Sequence, residues 1–157
     1  MGVHPSEAKT YNEEVEKKII EYCTNPKVIA IGECGLDRAG AGAGAGRFEI
    51  QRDVFKKQIE LSEQYSKPLI IHAVRTYPDI IAIRKETKAK QPWIIHGFRG
   101  KPSIARELLK HGCWLSFGSL FQEESVCITP LDRLFIETDE SEESIENIYR
   151  KIASIRD

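Results

Sequence analysis

Val28-Ile-Ala-Ile-Gly-Glu-Cys-Gly-Leu-Asp37 is the stretch whose reading decides the fold. Val28 to Ile31 are apolar without interruption and mostly β-branched, which suits a strand covered on both faces. Gly32 follows, and then Glu33 stands where such a strand ends. The same plan recurs along the chain. Pro68-Leu-Ile-Ile71 runs into His72, Trp93-Ile-Ile95 into His96, and Leu134-Phe-Ile136 into Glu137-Thr-Asp139. Cys113-Trp-Leu-Ser-Phe117 is a further apolar run of strand length.

Between these runs the periodicity changes from that of a strand to that of a helix. In 51–65, Val54, Phe55, Gln58, Ile59 and Ser62 share one face, with charges opposite. Stretches 78–85, 103–110 and 143–155 repeat the pattern, the last with Ile145, Ile148, Ile152 and Ile155 at helical spacing. Pro102 and Ser103 mark a helix start, and Gly112 marks its stop. Strand and helix in alternation predict a parallel α/β sheet, either open and doubly wound or closed into a barrel. Neither G-x-G-x-x-G nor GxxxxGK[ST] occurs, which weakens the nucleotide-binding open sheets. Ligand-type residues at the C-terminal ends of four strands favour the barrel, whose active sites are built on that rim. The expected fold is therefore a TIM-type (β/α) barrel of about five C-terminal βα units, a single domain spanning 1–157 and incomplete as given.

The composition is that of a globular protein: 157 residues, 41% hydrophobic and 30% charged. A formal net charge of -1, from 23 basic and 24 acidic residues, provides no electrostatic case for phosphate neutralisation. No apolar run reaches the roughly 18 residues that span a bilayer, and the N-terminus does not resemble a signal peptide. Cys23, Cys34, Cys113 and Cys127 form no CxxC pair, and three of them adjoin apolar segments as small hydrophobes. These features read as a reduced, cytoplasmic protein with no membrane partner. Ala39 to Gly46 alternates alanine and glycine strictly, a low-complexity loop with no side chain capable of chemistry.

Parallel strands deliver their C-terminal ends to one rim, so Glu33, His72, His96 and Asp139 converge there although dozens of residues separate them. Two imidazoles and two carboxylates suit a borderline divalent ion such as zinc or manganese, and the oxygen ligands also admit magnesium. A lone histidine after a strand is more often a hydrogen-bonded structural residue. Glu33 alone could cap a helix or pair with a cation, and Asp139 alone could be an N-cap. The joint pattern of four strand-end ligands favours metal binding. Arg75 and Arg99, just past His72 and His96, are positioned on the same rim to recognise an anionic group such as phosphate, with exposed loop arginines the equal alternative. His111, before Gly112, complements a helix C-terminus.

Gly2-Val-His-Pro5, Ala30-Ile-Gly-Glu-Cys-Gly-Leu-Asp37, Lys67-Pro-Leu-Ile-Ile-His72, Ile94-Ile-His-Gly-Phe-Arg-Gly100 and Ile136-Glu-Thr-Asp139 resemble, in order, the signatures of the TatD family. Those proteins are metal-dependent hydrolases on a TIM-type barrel, described as deoxyribonucleases. The resemblance implies that Glu33 bridges two divalent ions, that His72 and His96 bind one, and that Asp139 binds the other. Glu33 and Asp139 are then the catalytic carboxylates, Asp139 helping to activate the attacking water. His4 lies near the scissile phosphate. The implied reaction is hydrolysis of a phosphodiester, DNA by default, by metal-activated water.

The chain departs from the family pattern at several points. It contains no H-x-H pair, so the second metal site is incomplete within it. Met1 directly precedes the GVHP element, which reads as a barrel lacking roughly its first three strands, where about 200 residues are usual. An assembly or further residues would cover the exposed sheet edges. Arg99 stands where the family commonly has a small hydroxyl residue. Alternatives are an amidohydrolase-type enzyme for a small ester, lactone or amide, and a non-catalytic remnant.

Overall fold

The computed structural model describes residues 1–39 and 44–156, which form two compact units, Met1–Trp93 and Ile94–Asp157. In the first, a 3-10 turn (Pro5–Thr10) and helix α1 (Glu13–Thr24) precede strand β1 (Ile31–Asp37). Helix α2 (Ala45–Tyr65), strand β2 (Leu69–Val74) and helix α3 (Tyr77–Thr87) follow. Strand β3 (Trp93–Ile95) begins on the last residue of this unit. The second unit continues with α4 (Pro102–Lys110), β4 (Cys113–Phe117), α5 (Glu123–Ile128), β5 (Leu134–Ile136) and α6 (Ile145–Arg156).

The expected alternation of strand and helix is present, and β3, β4 and β5 have the expected bounds. β1 does not. It starts at Ile31 rather than Val28 and continues through Glu33 to Asp37. The reason is its pairing with β2, which is parallel and aligns Ile31 with Leu69 but Cys34 with Ile71. β1 thus spends one more residue than its partner over this interval, a bulge that re-aims the side chain at its apex. Glu33, at that bulge, is exposed while Cys34 and Leu36 are buried. Gly32 permits the close approach, since a Cβ there would meet the Ile70 Cβ at 2.7 Å. Likewise β2 carries His72 inside the strand rather than after it.

α1 is a helix that hydrophobic periodicity alone did not indicate. Asn12 caps it by accepting the Val15 N–H at 3.0 Å, and Glu13, Glu14 and Glu16 complement the N-terminal dipole. α2 begins earlier than residue 51. Ala45 and Gly46, the end of the alternating tract, form its first turn rather than a loop, while 40–43 lie outside the described residues. Gly44 is its extended N-cap. α2 buries Phe48, Val54, Phe55, Ile59 and Leu61. Phe55 packs on Trp93 with ring centroids 5.4 Å apart, and Arg84 of α3 lies 4.7 Å over the same indole.

In the second unit β4 and β5 pair in parallel, Leu115 with Leu134 and Phe117 with Ile136. Phe98 and Phe117 meet edge to face at 5.8 Å. Arg156 fastens α6 to α5 by donating to the carbonyls of Val126 and Thr129, each at 2.6 Å. Cys34 and Cys113 are buried as expected, and burial pushes the Cys34 thiol far above its usual range. Cys127 is exposed, because the face of short α5 that turns inward is taken by Ser125 and Val126. Among the described residues no helix is long and apolar enough to cross a membrane.

Candidate metal centre

In the first unit the site is assembled on the bulge of β1, the middle of β2 and the turn after Val3. Gln58, wholly buried on α2, grips that turn with both ends of its amide. Its Oε1 accepts the Val3 N–H at 2.7 Å and its Nε2 donates to the Val3 carbonyl at 3.1 Å. This paired contact holds His4 in place, where its Nδ1 accepts hydrogen bonds from the Ser6 N–H at 3.2 Å and the Ser6 hydroxyl at 2.8 Å. With Nδ1 so used, the neutral ring carries its proton on Nε2, the atom facing Glu33 Oε2 at 3.9 Å. His4 and His72 meet edge to face with ring centroids 4.4 Å apart.

His72 is itself oriented. Its Nε2 donates to Asp37 Oδ2 at 3.0 Å, so the ring's lone pair lies on Nδ1. Asp37 is held in turn. Its Oδ1 accepts the Ala39 N–H at 2.6 Å, and its own N–H donates to Gln51 Oε1 at 2.8 Å. One potential ligand atom each from His4, Glu33 and His72 lies within 4.8 Å of the others. Donors about 2.1 Å from a common ion stand at most about 4.2 Å apart, so small side-chain adjustments close the gap. The donor chemistry of imidazole and carboxylate fits a divalent ion, and a carboxylate behind the imidazole is the usual support for a ligating histidine.

In the second unit, His96 immediately follows β3 and Asp139 lies three residues past β5 in the left-handed region, at φ 49°. A ring nitrogen of His96 and a carboxylate oxygen of Asp139 lie within 4.8 Å of each other. Glu137 occupies the space beside them. Its Oε1 accepts the Gly97 N–H at 2.6 Å and faces His96 Nδ1 at 3.4 Å, while its other oxygen accepts the Ser116 hydroxyl. Burial pushes its carboxyl up, but the hydrogen bonds from His96 and Ser116, the His96 charge and the Gly97 N–H outweigh that. The net direction is below the usual carboxylate value. A cavity of about 170 Å³ opens here, lined by Arg99, Gly118, Ser119, Glu137 and Asp139 among others. Arg99 thus reaches the cavity that Asp139 lines. Arg75 is exposed past the end of β2, at φ 57°. His111 caps α4 and pairs with Glu107 at 3.0 Å, a structural contact.

Four polar residues of these arrangements were not singled out by sequence reasoning: Asp37, Gln58, Ser116 and Glu137. Gln58 had a signal, being an amide on a mostly apolar helix face. Asp37 and Glu137 lie within the quoted motifs, yet nothing in spacing shows which carboxylate stands behind which imidazole.

The sequence pattern described as TatD related DNase matches residues 1–154. The chain belongs to the TatD family. It is 38% identical over 147 residues to YabD of Bacillus subtilis, named an uncharacterized metal-dependent hydrolase, covering 88% of this chain and 56% of that protein. It is 31% identical over 147 residues to the 3′-5′ ssDNA/RNA exonuclease TatD of Cronobacter turicensis, covering 88% of this chain and 55% of that one. The chain therefore spans about half the length of the curated relatives it matches. The crystal structure of YJJV, a TatD homologue from Escherichia coli, superposes with a TM-score of 0.87 at 21% identity, covering 99% of this chain and 67% of that one. A TatD family hydrolase from Entamoeba histolytica gives 0.72 at 25% identity, over 88% of this chain and 48% of that one. The α/β fold expected from the sequence, an incomplete TIM-type barrel, is thus the fold of this TatD chain.

Proposed function

We propose that this TatD chain carries the larger share of the active site of a metal-dependent phosphodiesterase acting on DNA or RNA strands. The observation that carries the reading is the grouping of Glu33 and His72 with an Asp37 carboxylate behind the imidazole. The names of the nuclease relatives support the substrate class. Glu33, His72, His96 and Asp139 are the proposed ligands of two divalent ions, zinc, manganese or magnesium. When bound, such ions polarise phosphoryl oxygens and lower the pKa of coordinated water.

The chain's own residues then have distinct tasks. Asp139 accepts a proton from the attacking water, and Glu33 is the second catalytic carboxylate. His4, with its proton on Nε2, donates a hydrogen bond to a phosphate oxygen rather than ligating a metal, because Ser6 occupies its other nitrogen. Arg99 pairs with the phosphate from the cavity that Asp139 lines. Arg75 meets a more distant phosphate of the strand. The net charge of -1 leaves little long-range attraction, so these local contacts must supply affinity.

The test measures manganese-dependent release of nucleotides from labelled single-stranded DNA and RNA by the intact protein, beside a panel of esters and lactones. Loss of nuclease activity in Glu33→Ala and His72→Ala supports the proposal. Turnover of an ester or lactone, with nucleic acid untouched, would move the chain to a different hydrolase chemistry.

A further inference from the structure

We infer that Glu137, braced by Ser116, is a positioning residue that fixes the tautomer of His96 and turns its Nε2 outward as a ligand atom. The inference rests on the proposed metal-binding role of His96 and explains how that role is prepared before any ion arrives.

The argument rests on the contacts that surround one carboxylate. Glu137 sits directly after β5, and its N–H donates to the Phe117 carbonyl at 3.0 Å, continuing the ladder with β4. Its carboxylate then meets three donors from three places in the unit. The Gly97 N–H and the His96 Nδ1 share Oε1, at 2.6 and 3.4 Å, and the Ser116 hydroxyl takes the other oxygen. Gly97, at φ 57°, adopts the conformation that aims its N–H at that oxygen. Ser116 is a buried polar residue in the middle of an apolar strand, only 4% exposed. It serves the same corner twice, since its carbonyl accepts the Phe98 N–H at 2.9 Å. A serine among Leu115 and Phe117 has no packing advantage over alanine, so the hydroxyl needs a reason. The Glu137 carboxylate supplies one.

The consequence follows from imidazole chemistry. A carboxylate beside Nδ1 holds the ring's proton there, which leaves the lone pair on Nε2. His72 has the opposite arrangement, with Asp37 at its Nε2 and the lone pair on Nδ1. The two histidines are thus set in complementary tautomers by two different carboxylates. With protein donors on both oxygens, Glu137 is placed to act through His96.

Long-range ¹H–¹⁵N spectra of the metal-free intact protein at pH 8 read the tautomers of His72 and His96 directly. The expected result is Nδ1–H for His96 and Nε2–H for His72. In Glu137→Gln, and to a smaller extent in Ser116→Ala, His96 becomes a mixture of tautomers while His72 is unchanged. Calorimetric titration with zinc should show an affinity loss of roughly 10- to 100-fold for Glu137→Gln, and Ser116→Thr should restore what Ser116→Ala loses. A wild-type His96 protonated on Nε2 would overturn the inference. So would a folded Glu137→Gln protein with wild-type tautomer and zinc affinity. If the wild type binds none of zinc, manganese and magnesium, the proposed function fails, and the tautomers still decide whether Glu137 sets the ring.

Discussion

Gly35 is the residue at which the fold and the candidate site depend most directly on a missing side chain. It sits at φ +133°, and a Cβ there would lie 2.2 Å from the carbonyl oxygen of His72, its partner in the β1–β2 register. In Gly35→Ala the two strands must open from 2.2 Å to at least the 3.0 Å that such a contact needs. The backbone strain alone costs about 1–3 kcal/mol. At roughly 2–4 °C per kcal/mol for a chain of this size, the melting temperature should fall by about 2–12 °C. The larger effect is geometric. Glu33 lies two residues before Gly35 and Asp37 two after, so opening the pair draws both carboxylates away from His72. A shift of about 1 Å in such groups can cost about 100-fold in rate. Differential scanning calorimetry of the metal-free intact protein measures the first effect, and zinc titration with the nucleotide-release assay measures the second. Gly46→Ala is the control. That residue is helical with nothing within 4 Å of its added Cβ, so the substitution should stabilise by about 0.5–1 kcal/mol. If Gly35→Ala melts and titrates like Gly46→Ala, the steric account of this strand pair is wrong.

Two further outcomes follow from other contacts. Gln58→Leu keeps the volume but strips partners from the buried Val3 N–H and carbonyl, which should cost about 2–4 kcal/mol by chemical denaturation. It should also weaken substrate binding more than metal binding, because the turn it grips carries His4; equal losses of both would contradict that division. Tyr11 donates to Glu16 at 3.1 Å, and burial, followed by the Glu16 charge and hydrogen bond, pushes its phenol well up. A folded-state value raised above the unfolded one stabilises at pH below about 10 and is lost as pH rises through the folded value. Tyr11→Phe should therefore remove part of the stability at neutral pH and flatten its decline in strong alkali, which pH-dependent melting curves will show.

The proposed ligands were legible in the sequence to the extent that they adjoin apolar runs, even though Glu33 and His72 turn out to lie within their strands. Glu33 and His72 in the first unit, and His96 and Asp139 in the second, follow or close apolar runs of strand type. The supporting carboxylates were not legible, because contacts between residues 35 or 41 positions apart, such as Asp37–His72 and His96–Glu137, depend on register. The bulge of β1 was hidden for a similar reason. Val28-Ile-Ala looks like the better strand by propensity, yet it is residues from Ile31 onward that find β2 as a partner. α1 was missed because its apolar face is narrow, with only Ile19 and Cys23 buried.

By itself, then, the chain's order of residues determined the βα alternation, the membership implied by its motifs and the candidate donors beside its apolar runs. These are properties of local hydrophobic period and of residue type, which read along one dimension. The tertiary structure decided which carboxylate stands against each imidazole, how Gln58 and Ser6 hold the His4 turn, and why Gly35 and Ser116 are what they are. Those depend on contacts a few ångströms long between segments far apart in sequence, and only strand pairing sets that distance.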